Sequence, residues 1–88
     1  MDINIKRYLD RAESELILAN ANFSLSTSNE IKDLFKIQKD KTFFNNVISE
    51  SYYAIFYTAK AYLLSLNIKT APPEEHKKTY NEFKKMVV

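Results

Sequence analysis

Apolar side chains recur at steps of three and four residues in three stretches of the chain, the spacing of a helix face rather than the alternation of a strand. The longest stretch is central, at residues 40–67, and its apolar row comprises Phe44, Ile48, Tyr52, Ile55, Ala59, Tyr62 and Leu66. A second row, of mostly small side chains, comprises Val47, Ser51, Ala54, Thr58 and Ala61. Because small side chains let another backbone approach closely, we predict one long helix that is covered on two sides.

One narrow polar face of this central helix is then left uncovered. It spans roughly 100° of a helical wheel and carries Asn46, Ser49, Glu50, Tyr53, Tyr57 and Lys60. A binding site on the helix is therefore expected on that face. The helix is predicted to end with Asn67 in a left-handed conformation and Ile68 packed back on Leu63, as in a Schellman motif.

A first helix is predicted to open near Asp2 as N-cap and to run to about Ser24. Its apolar seam comprises Ile5, Leu9, Ala12, Leu16, Ala19 and Phe23. Its outer face mixes both charges and comprises Lys6, Arg7, Asp10, Arg11, Glu13 and Glu15. Opposite charges at three- and four-residue spacing pair in solvent, so we interpret this face as ordinary protein surface.

The segment after Ser24 is rich in hydroxyl side chains, which compete for backbone hydrogen bonds, and it predicts a loop. One or two helical turns are expected around residues 31–35, behind a cap at Ser28 or Asn29. Helical hairpins are usually joined by about two to eight residues. The connector at residues 24–40 is longer, so we expect it to fold over the bundle or contact a partner, and to be the most mobile segment.

A third helix is predicted after Pro72 and Pro73, which form an extended turn because each proline fixes its own φ. The stripe of this helix comprises His76, Tyr80, Phe83 and Val87. Glu74 and Glu75 suit the positive end of its dipole.

Composition assigns the chain to the all-α class. The sequence has 88 residues, 45% of them hydrophobic, and no glycine. A chain of this size forms a single domain, residues 1–88, with a modest core. We predict an antiparallel up-down bundle of three main helices, whose fourth helix is missing or supplied by a partner, because two neighbours cannot cover the central helix on every side.

Charge and cysteine content exclude several classes of function. The chain has no cysteine and one histidine, so a structural zinc site is excluded and no cofactor is predicted. Its net charge of +2 is too small for the broad positive field of a general nucleic-acid binder. No leader-like segment and no apolar run of about 18 residues is found. We expect a cytoplasmic protein without membrane contact.

Residues of the central helix and its C-terminal turn form a pattern that resembles the HEPN family of small prokaryotic helical domains. They are Ser49, Tyr52, Tyr53, Ala54, Phe56, Ala59, Lys60, Ala61, Leu63, Leu64, Asn67, Ile68, Lys69, Thr70 and His76, with Arg11, Ala12 and Glu13 in the first helix. The resemblance implies an antiparallel helical bundle, commonly dimeric, that is often encoded beside or fused to a nucleotidyltransferase. Some family members are metal-independent ribonucleases of toxin–antitoxin systems.

The chain departs from the pattern of the active members of that family. These use an Arg followed four to six positions later by a His, whereas positions 70–72 before His76 are Thr, Ala and Pro. Glu50 and Tyr57 stand where many relatives have Arg and His. The resemblance therefore leans against enzyme activity and names no catalytic residue. Relatives are usually one helix longer, which leaves open a short relative, one part of a split gene or a truncated chain.

The candidate binding residues are Ser49, Tyr53, Tyr57, Lys60 and His76. The tyrosines and the lysine suit stacking and phosphate contact with a nucleotide or RNA. They also suit a homodimer interface, which we favour because tyrosine joins a large apolar body to a polar tip. A lone His beside two glutamates is more often structural.

The predicted function is a non-catalytic, HEPN-like interaction module that forms a homodimer through the central helix and partners a nucleotidyltransferase. One alternative is a ribonuclease that uses His76 with Lys77 or Lys78, or with Arg7 or Arg11 from the first helix. The other is an orphan structural helical dimer without a ligand.

Overall fold

The computed structural model describes residues 2–87, which form four α-helices and no strand. The helices are α1 (Ile3–Thr27), α2 (Asn29–Leu34), α3 (Phe44–Ser65) and α4 (Glu75–Val87). The all-α class is therefore confirmed. The two long helices, α1 and α3, pack against each other along most of their length.

Helices α1 and α3 run antiparallel. The backbone N–H of Phe43, just before α3, donates to the hydroxyl of Ser26 near the end of α1 at 2.7 Å. At the other end of the pair the ring of Tyr8 stacks on that of Tyr57. The buried side chains between the helices are small: Ala12 and Ala19 of α1, and Ala54 and Ala61 of α3. Because these residues carry only a methyl group, the two backbones approach closely, as the row of small residues predicted.

Helix α1 begins as predicted but ends three residues later than expected. The side chain of Asp2 caps it by accepting a hydrogen bond from the Asn4 backbone at 2.6 Å. The predicted stop at Ser24 is wrong because the hydroxyls of Ser26 and Thr27 bond to carbonyls four residues back, at 2.7 and 2.9 Å. Such bonds satisfy the hydroxyl without interrupting the helical ladder.

The connector contains one short helix, as predicted. Ser28 caps α2 by accepting a hydrogen bond from the Ile31 backbone at 3.3 Å. The buried Lys32 ties the segment together, since its ammonium donates to the carbonyl of Lys39 at 2.6 Å. Ile31 is half-buried, whereas Leu34 and the following Phe35 are both strongly exposed, so only part of the apolar face of α2 is covered.

Helix α3 ends in the Schellman motif that the sequence predicts. Asn67 has a left-handed φ of 61°. The backbone N–H of Ile68 donates to the carbonyl of Leu63, and that of Asn67 to the carbonyl of Leu64, both at 2.9 Å. These two bonds satisfy carbonyls that the helix end would otherwise leave unpaired. The helix begins at Phe44, later than the opening of the predicted stretch.

Replacement of Asn67 tests the energetic role of this stop. Asn67→Ala should lower the free energy of unfolding by about 1–2 kcal/mol, because a Cβ without a local polar partner disfavours the left-handed conformation. Asn67→Gly is the matched control and should unfold at the same or a higher urea concentration than the wild type. Equal stabilities of the two variants would show that the left-handed residue does not limit the stability of this turn.

Helix α4 begins after Pro72 and Pro73, which are joined by a cis peptide bond. Helix α4 packs on α3. Within residues 2–87, the backbones of α4 and α1 are not in contact. Its predicted stripe lies on α3 through His76, Tyr80 and Phe83, whereas the Val87 side chain lies outside the described residues. Residues 54 and 56 point to opposite sides of a helix. Helix α3 therefore lies between α1 on its Ala54 side and α4 on its Phe56 side.

The core of this arrangement is small. Its buried apolar side chains are Ala12, Ala19, Ala54, Phe56, Ala59, Ala61 and Leu63. Most of them are alanines, which contribute little transfer free energy on burial. The radius of gyration is 16.3 Å, whereas a compact chain of this length measures about 12 Å. The described helices therefore form an elongated layer and leave much apolar surface in contact with solvent.

Candidate functional site

One side of the α1–α3 pair is apolar and uncovered. We call it the open face and define it by Leu9, Leu16 and Phe23 of α1 with Ile48, Ile55 and Tyr62 of α3. All six side chains are exposed, with Leu16 at 51% and Ile55 at 58%. Within each helix the three residues are seven positions apart, the spacing of a coiled-coil seam.

Because α1 and α3 run antiparallel, the seven-residue spacing orders the six residues in three layers: Leu9 with Tyr62, Leu16 with Ile55, and Phe23 with Ile48. Leu9 and Tyr62 line one shallow depression, and Leu16 and Ile55 line the next. The ring of Phe23 lies edge-on to Phe44 at the far end, with the centroids 6.4 Å apart. Three layers seven residues apart extend over about 21 Å of helix. The open face is thus a straight apolar strip with the length of a four-turn helix.

The open face corrects two expectations. The seam of α1 was expected to be covered along its length, but only Ala12 and Ala19 in it are buried. The apolar row of α3 was likewise expected to be covered, but within it only Ala59 is buried. The reason is geometric: α1 occupies the side of α3 that carries small residues, and α4 occupies the opposite side. Among residues 2–87, α4 borders the remaining apolar side at one edge only, where Phe83 contacts Tyr62 and lines the depression beside Leu16 and Ile55.

The predicted residue His76 lies in an aromatic cluster. Its ring stacks on that of Phe56, with centroids 3.9 Å apart and planes 5° apart. The hydroxyl of Tyr52 lies 3.0 Å from Nδ1 of His76, and Tyr53 approaches the ring edge-on at 5.6 Å. These contacts fix the orientation of the imidazole and join the start of α4 to α3. The geometry favours a structural role for His76.

The neighbouring residue Tyr80 belongs to the same cluster. Its ring centroid lies 5.7 Å from that of Tyr52. Desolvation raises the pKa of Tyr80, and the nearby Tyr52 raises that pKa further. Both effects favour the protonated phenol of Tyr80, which can donate a hydrogen bond within the cluster.

Tyr53 and Tyr57 are in contact, and Tyr57 extends the cluster towards α1. The ring of Tyr57 stacks on Tyr53 and on Tyr8, with both centroid distances 6.3 Å. The guanidinium of Arg11 donates to the Tyr57 hydroxyl at 2.6 Å, and its central carbon lies 4.6 Å from the ring centroid. The pairing of Tyr57 with Tyr8 and Arg11 was not expected, because the charged face of α1 was interpreted as ordinary surface.

Lys60 is buried rather than part of an open polar face, with 6% of its surface exposed. Its ammonium forms an ion pair with the carboxylate of Glu75. The same ammonium donates to the carbonyl of Thr70 at 2.7 Å and lies 5.2 Å from the centre of the Tyr8 ring. Lys60 thus connects α3, the loop after it and the first turn of α4. The prediction of an exposed Lys60 is wrong because this loop and α4 cover that side of α3.

Loss of the Lys60 ammonium should destabilise the fold. Lys60→Met keeps most of the side-chain volume but leaves Glu75 and the carbonyl of Thr70 without their partner. We expect the free energy of unfolding to fall by about 1–3 kcal/mol, in the range for buried groups that lose a hydrogen bond. Lys85→Met removes an exposed pair with Glu82 and should change stability by less than about 1 kcal/mol. Urea denaturation of both variants measures these changes. Equal losses of stability in the two variants would contradict the structural role of Lys60.

The remaining predicted site residue, Ser49, is exposed near the start of α3, one turn before Tyr53. No described hydrogen bond or ring contact joins it to the cluster. The structure therefore brings Tyr53, Tyr57 and His76 together in one cluster. Lys60 lies beside the cluster and is joined to the start of α4 by its ion pair with Glu75. Ser49 makes none of these contacts.

A concave pocket opens beside Tyr57, with a volume of about 480 Å³. It is lined by Asn4, Arg7, Tyr8, Asp10, Arg11, Ser14 and Tyr57. We call it the arginine pocket. Sequence analysis missed it, although a signal is present: Asn4, Arg7, Arg11 and Ser14 follow one another at steps of three, four and three, so they share one face of α1. A smaller pocket of about 230 Å³ adjoins it at Asn4 and Tyr8.

Comparisons with protein-family models, curated proteins and solved structures find no match to this chain. None of the helices in residues 2–87 combines the length and the hydropathy that crossing a bilayer requires. In the same residues, no three or more His, Cys, Asp or Glu side chains are grouped so as to hold a metal ion. The surfaces of the molecule that bear on function are therefore the open face, the aromatic cluster and the arginine pocket.

Proposed function

We propose that the chain is a non-catalytic helical interaction module that self-associates, with a second copy covering the open face. The observation that supports this proposal is the exposed area. The chain exposes 6473 Å², whereas a folded monomer of its mass, 10.3 kDa, exposes about 5,400 Å². The difference, about 1,100 Å², is similar to the 800 Å² or so that each partner buries in a stable complex.

A second copy suits the open face because it presents an identical strip of equal length. In a two-fold symmetric dimer one contact would cover both strips. The pairs α1 and α3 of the two copies would then form a four-helix bundle, in which each copy supplies the helices that the other lacks. The layers around Leu16 and Ile55 would add large side chains to a core that is mostly alanine. Association would therefore contribute much of the stability of the fold.

The HEPN resemblance extends the proposal to a partner. Members of that family commonly accompany a nucleotidyltransferase, and we propose such an enzyme as a second partner of the dimer, with a nucleotide or RNA as the alternative ligand. The aromatic cluster and the arginine pocket are outside the open face and would stay accessible in the dimer. Capture of a nucleotidyltransferase by the tagged dimer from its native cells would support this extension, and repeated capture without one would contradict it.

The favoured prediction from the sequence placed the dimer interface on Tyr53 and Tyr57. The structure supports the open face better, because Tyr57 already packs on Tyr8 and Arg11 and is only half-exposed. The ribonuclease alternative depends on His76, whose ring is half-buried and stacks on those of Phe56 and Tyr52. That position favours packing over proton transfer.

Single cysteines test where the copies meet, because the chain has no native cysteine. If the two-fold axis of the dimer crosses both strips at the middle layer, each residue of that layer meets its own copy. Under mild oxidation Leu16→Cys or Ile55→Cys should form disulfide-linked dimers, and Ile17→Cys, on the outer side of α1, should not. Sedimentation of the wild type at micromolar concentration is the companion measurement. A monomer there would overturn the proposal, and dissociation by Tyr53→Ala with Tyr57→Ala alone would place the interface on the polar face.

A further inference from the structure

We infer that the arginine pocket binds a phosphate monoester, with Arg7 and Arg11 holding the phosphate and the tyrosine rings flanking its organic group. This inference goes beyond self-association. The open face carries Leu9 and Leu16, whereas the arginine pocket lies on the other edge of the α1–α3 contact. The two surfaces share no residue, so one copy can use both.

The distribution of basic residues supports the inference. Of the 13 basic residues in the chain, two are arginines, Arg7 and Arg11, and 13 − 2 = 11 are lysines. Both arginines line this pocket. A guanidinium presents several N–H donors in one plane, and this arrangement matches the oxygens of a phosphate. A lysine ammonium attracts a phosphate only as a single point charge. The residue type best suited to phosphate is thus confined to one concave surface.

The charges of the arginines are not neutralised locally. In the part of the chain that the structure describes, the salt bridges join Lys6 to Asp10, Lys60 to Glu75 and Lys85 to Glu82. Asp10 lies in the pocket wall, but its carboxylate is paired with Lys6 at 3.2 Å. Two guanidinium charges one turn apart therefore face a concavity, and together they match the double negative charge of a phosphate monoester.

Tyr57 holds the side chain of Arg11 in position for phosphate binding. Its hydroxyl accepts one N–H of the guanidinium and its ring supports the guanidinium face. Because one of five N–H donors is used, the others remain for a ligand. The side chain is thereby held in place before a ligand arrives, which lowers the entropy lost on binding.

The size of the pocket indicates that the ligand is larger than phosphate alone. A volume of about 480 Å³ falls within the range of small-molecule sites, about 300–1,000 Å³. Tyr8 and Tyr57 form an aromatic wall beside the arginines. An aromatic or otherwise planar group on the phosphate would contact that wall, while the hydroxyl of Ser14 and the amide of Asn4 offer further polar contacts.

Titration with phenyl phosphate, followed by NMR of the arginine Nε–H signals, tests this assignment on the full chain. The probes for comparison are inorganic phosphate, which lacks the ring, and benzoate, which lacks the phosphate. We expect saturable shifts of the Arg7 and Arg11 signals, with phenyl phosphate binding more tightly than either comparison probe. Non-saturable shifts, or benzoate binding as tightly as phenyl phosphate, would overturn the inference.

Variants separate specific binding from general attraction of anions. Arg7→Gln with Arg11→Gln should weaken phenyl phosphate binding by about tenfold or more, the factor of a 1.4 kcal/mol loss. Lys77→Gln with Lys84→Gln makes the same change in charge on exposed sites of α4 and should leave the affinity unchanged. Tyr57→Phe keeps the ring but releases Arg11 and should weaken binding less than the double variant.

Equal weakening by the two double variants would show that net charge alone attracts the probe. Sedimentation of each variant reports self-association independently, so loss of ligand binding with an intact dimer bears on the arginine pocket alone.

Discussion

Leu16→Glu combined with Ile55→Glu should sediment as a monomer at concentrations at which the wild type is dimeric. The two substitutions place carboxylates in the middle layer of the open face. Four apolar side chains per dimer are replaced, each contributing about 1.5 kcal/mol or more on burial, so the dissociation constant should rise by about 10⁴ or more. Burying the new charges without partners would cost still more. Sedimentation over a concentration series measures this change.

Ile17→Glu combined with Leu18→Glu is the matched control. These side chains are also exposed on α1, but they lie away from the α3 contact and outside the open face. The control has the same change in charge and should remain dimeric. A monomeric control, or a dimeric Leu16 and Ile55 variant, would contradict the assignment of the interface. Far-UV circular dichroism of both variants shows whether the helices persist.

Phe56→Ala should cause the largest loss of stability among single substitutions in the described helices. Phe56 is 3% exposed and stacks on His76 at the contact of α3 with α4. Removing a buried phenylalanine usually costs about 3–5 kcal/mol. A domain of this size has a total stability of only about 4–13 kcal/mol. The variant should therefore unfold at much lower denaturant concentration, with α4 losing its anchor on α3.

Phe35→Ala provides the comparison for Phe56, because Phe35 is 67% exposed. It should change the free energy of unfolding by less than about 0.5 kcal/mol. Urea titrations at one protein concentration are needed, since self-association makes apparent stability depend on concentration. A loss below about 1 kcal/mol for Phe56→Ala, well under the usual cost of about 3–5 kcal/mol for a buried phenylalanine, would show that α4 is not anchored by this ring.

Local features of the fold could be predicted well. The caps at Asp2 and Ser28 and the left-handed stop at Asn67 were recognised because each depends on a side chain and a backbone group a few residues apart. The end of α1 was missed for a related reason. A run of serines and threonines favours either a loop or continued helix with hydroxyls bonded four residues back, and the choice depends on what surrounds them. In the structure Ser26 accepts a hydrogen bond from Phe43, so its helical position is supported by a distant segment.

The candidate site could be predicted only in part. Tyr53, Tyr57 and His76 were selected from one face of α3 and one end of α4, and they do lie in one cluster. Tyr8 was not selected, and Arg11 was named only for the ribonuclease alternative, because both are 40 or more positions away in the sequence. Nothing in the spacing of α1 alone distinguishes Arg11, which contacts Tyr57, from an arginine in solvent.

The amino-acid sequence by itself determined the helical class and the apolar and small rows on α3, since the spacing of side chains sets their angles about a helix axis. Only the tertiary structure decided which row would be covered. Ala54 and Ala61 admit α1 because small side chains allow the closest approach, and α4 then takes the opposite side through Phe56. Lys60 is enclosed by the loop that leads into α4, while Leu16 and Ile55 stay open. A helical pattern specifies directions around one axis, and the positions of the neighbouring axes follow from packing among segments that are distant in the sequence.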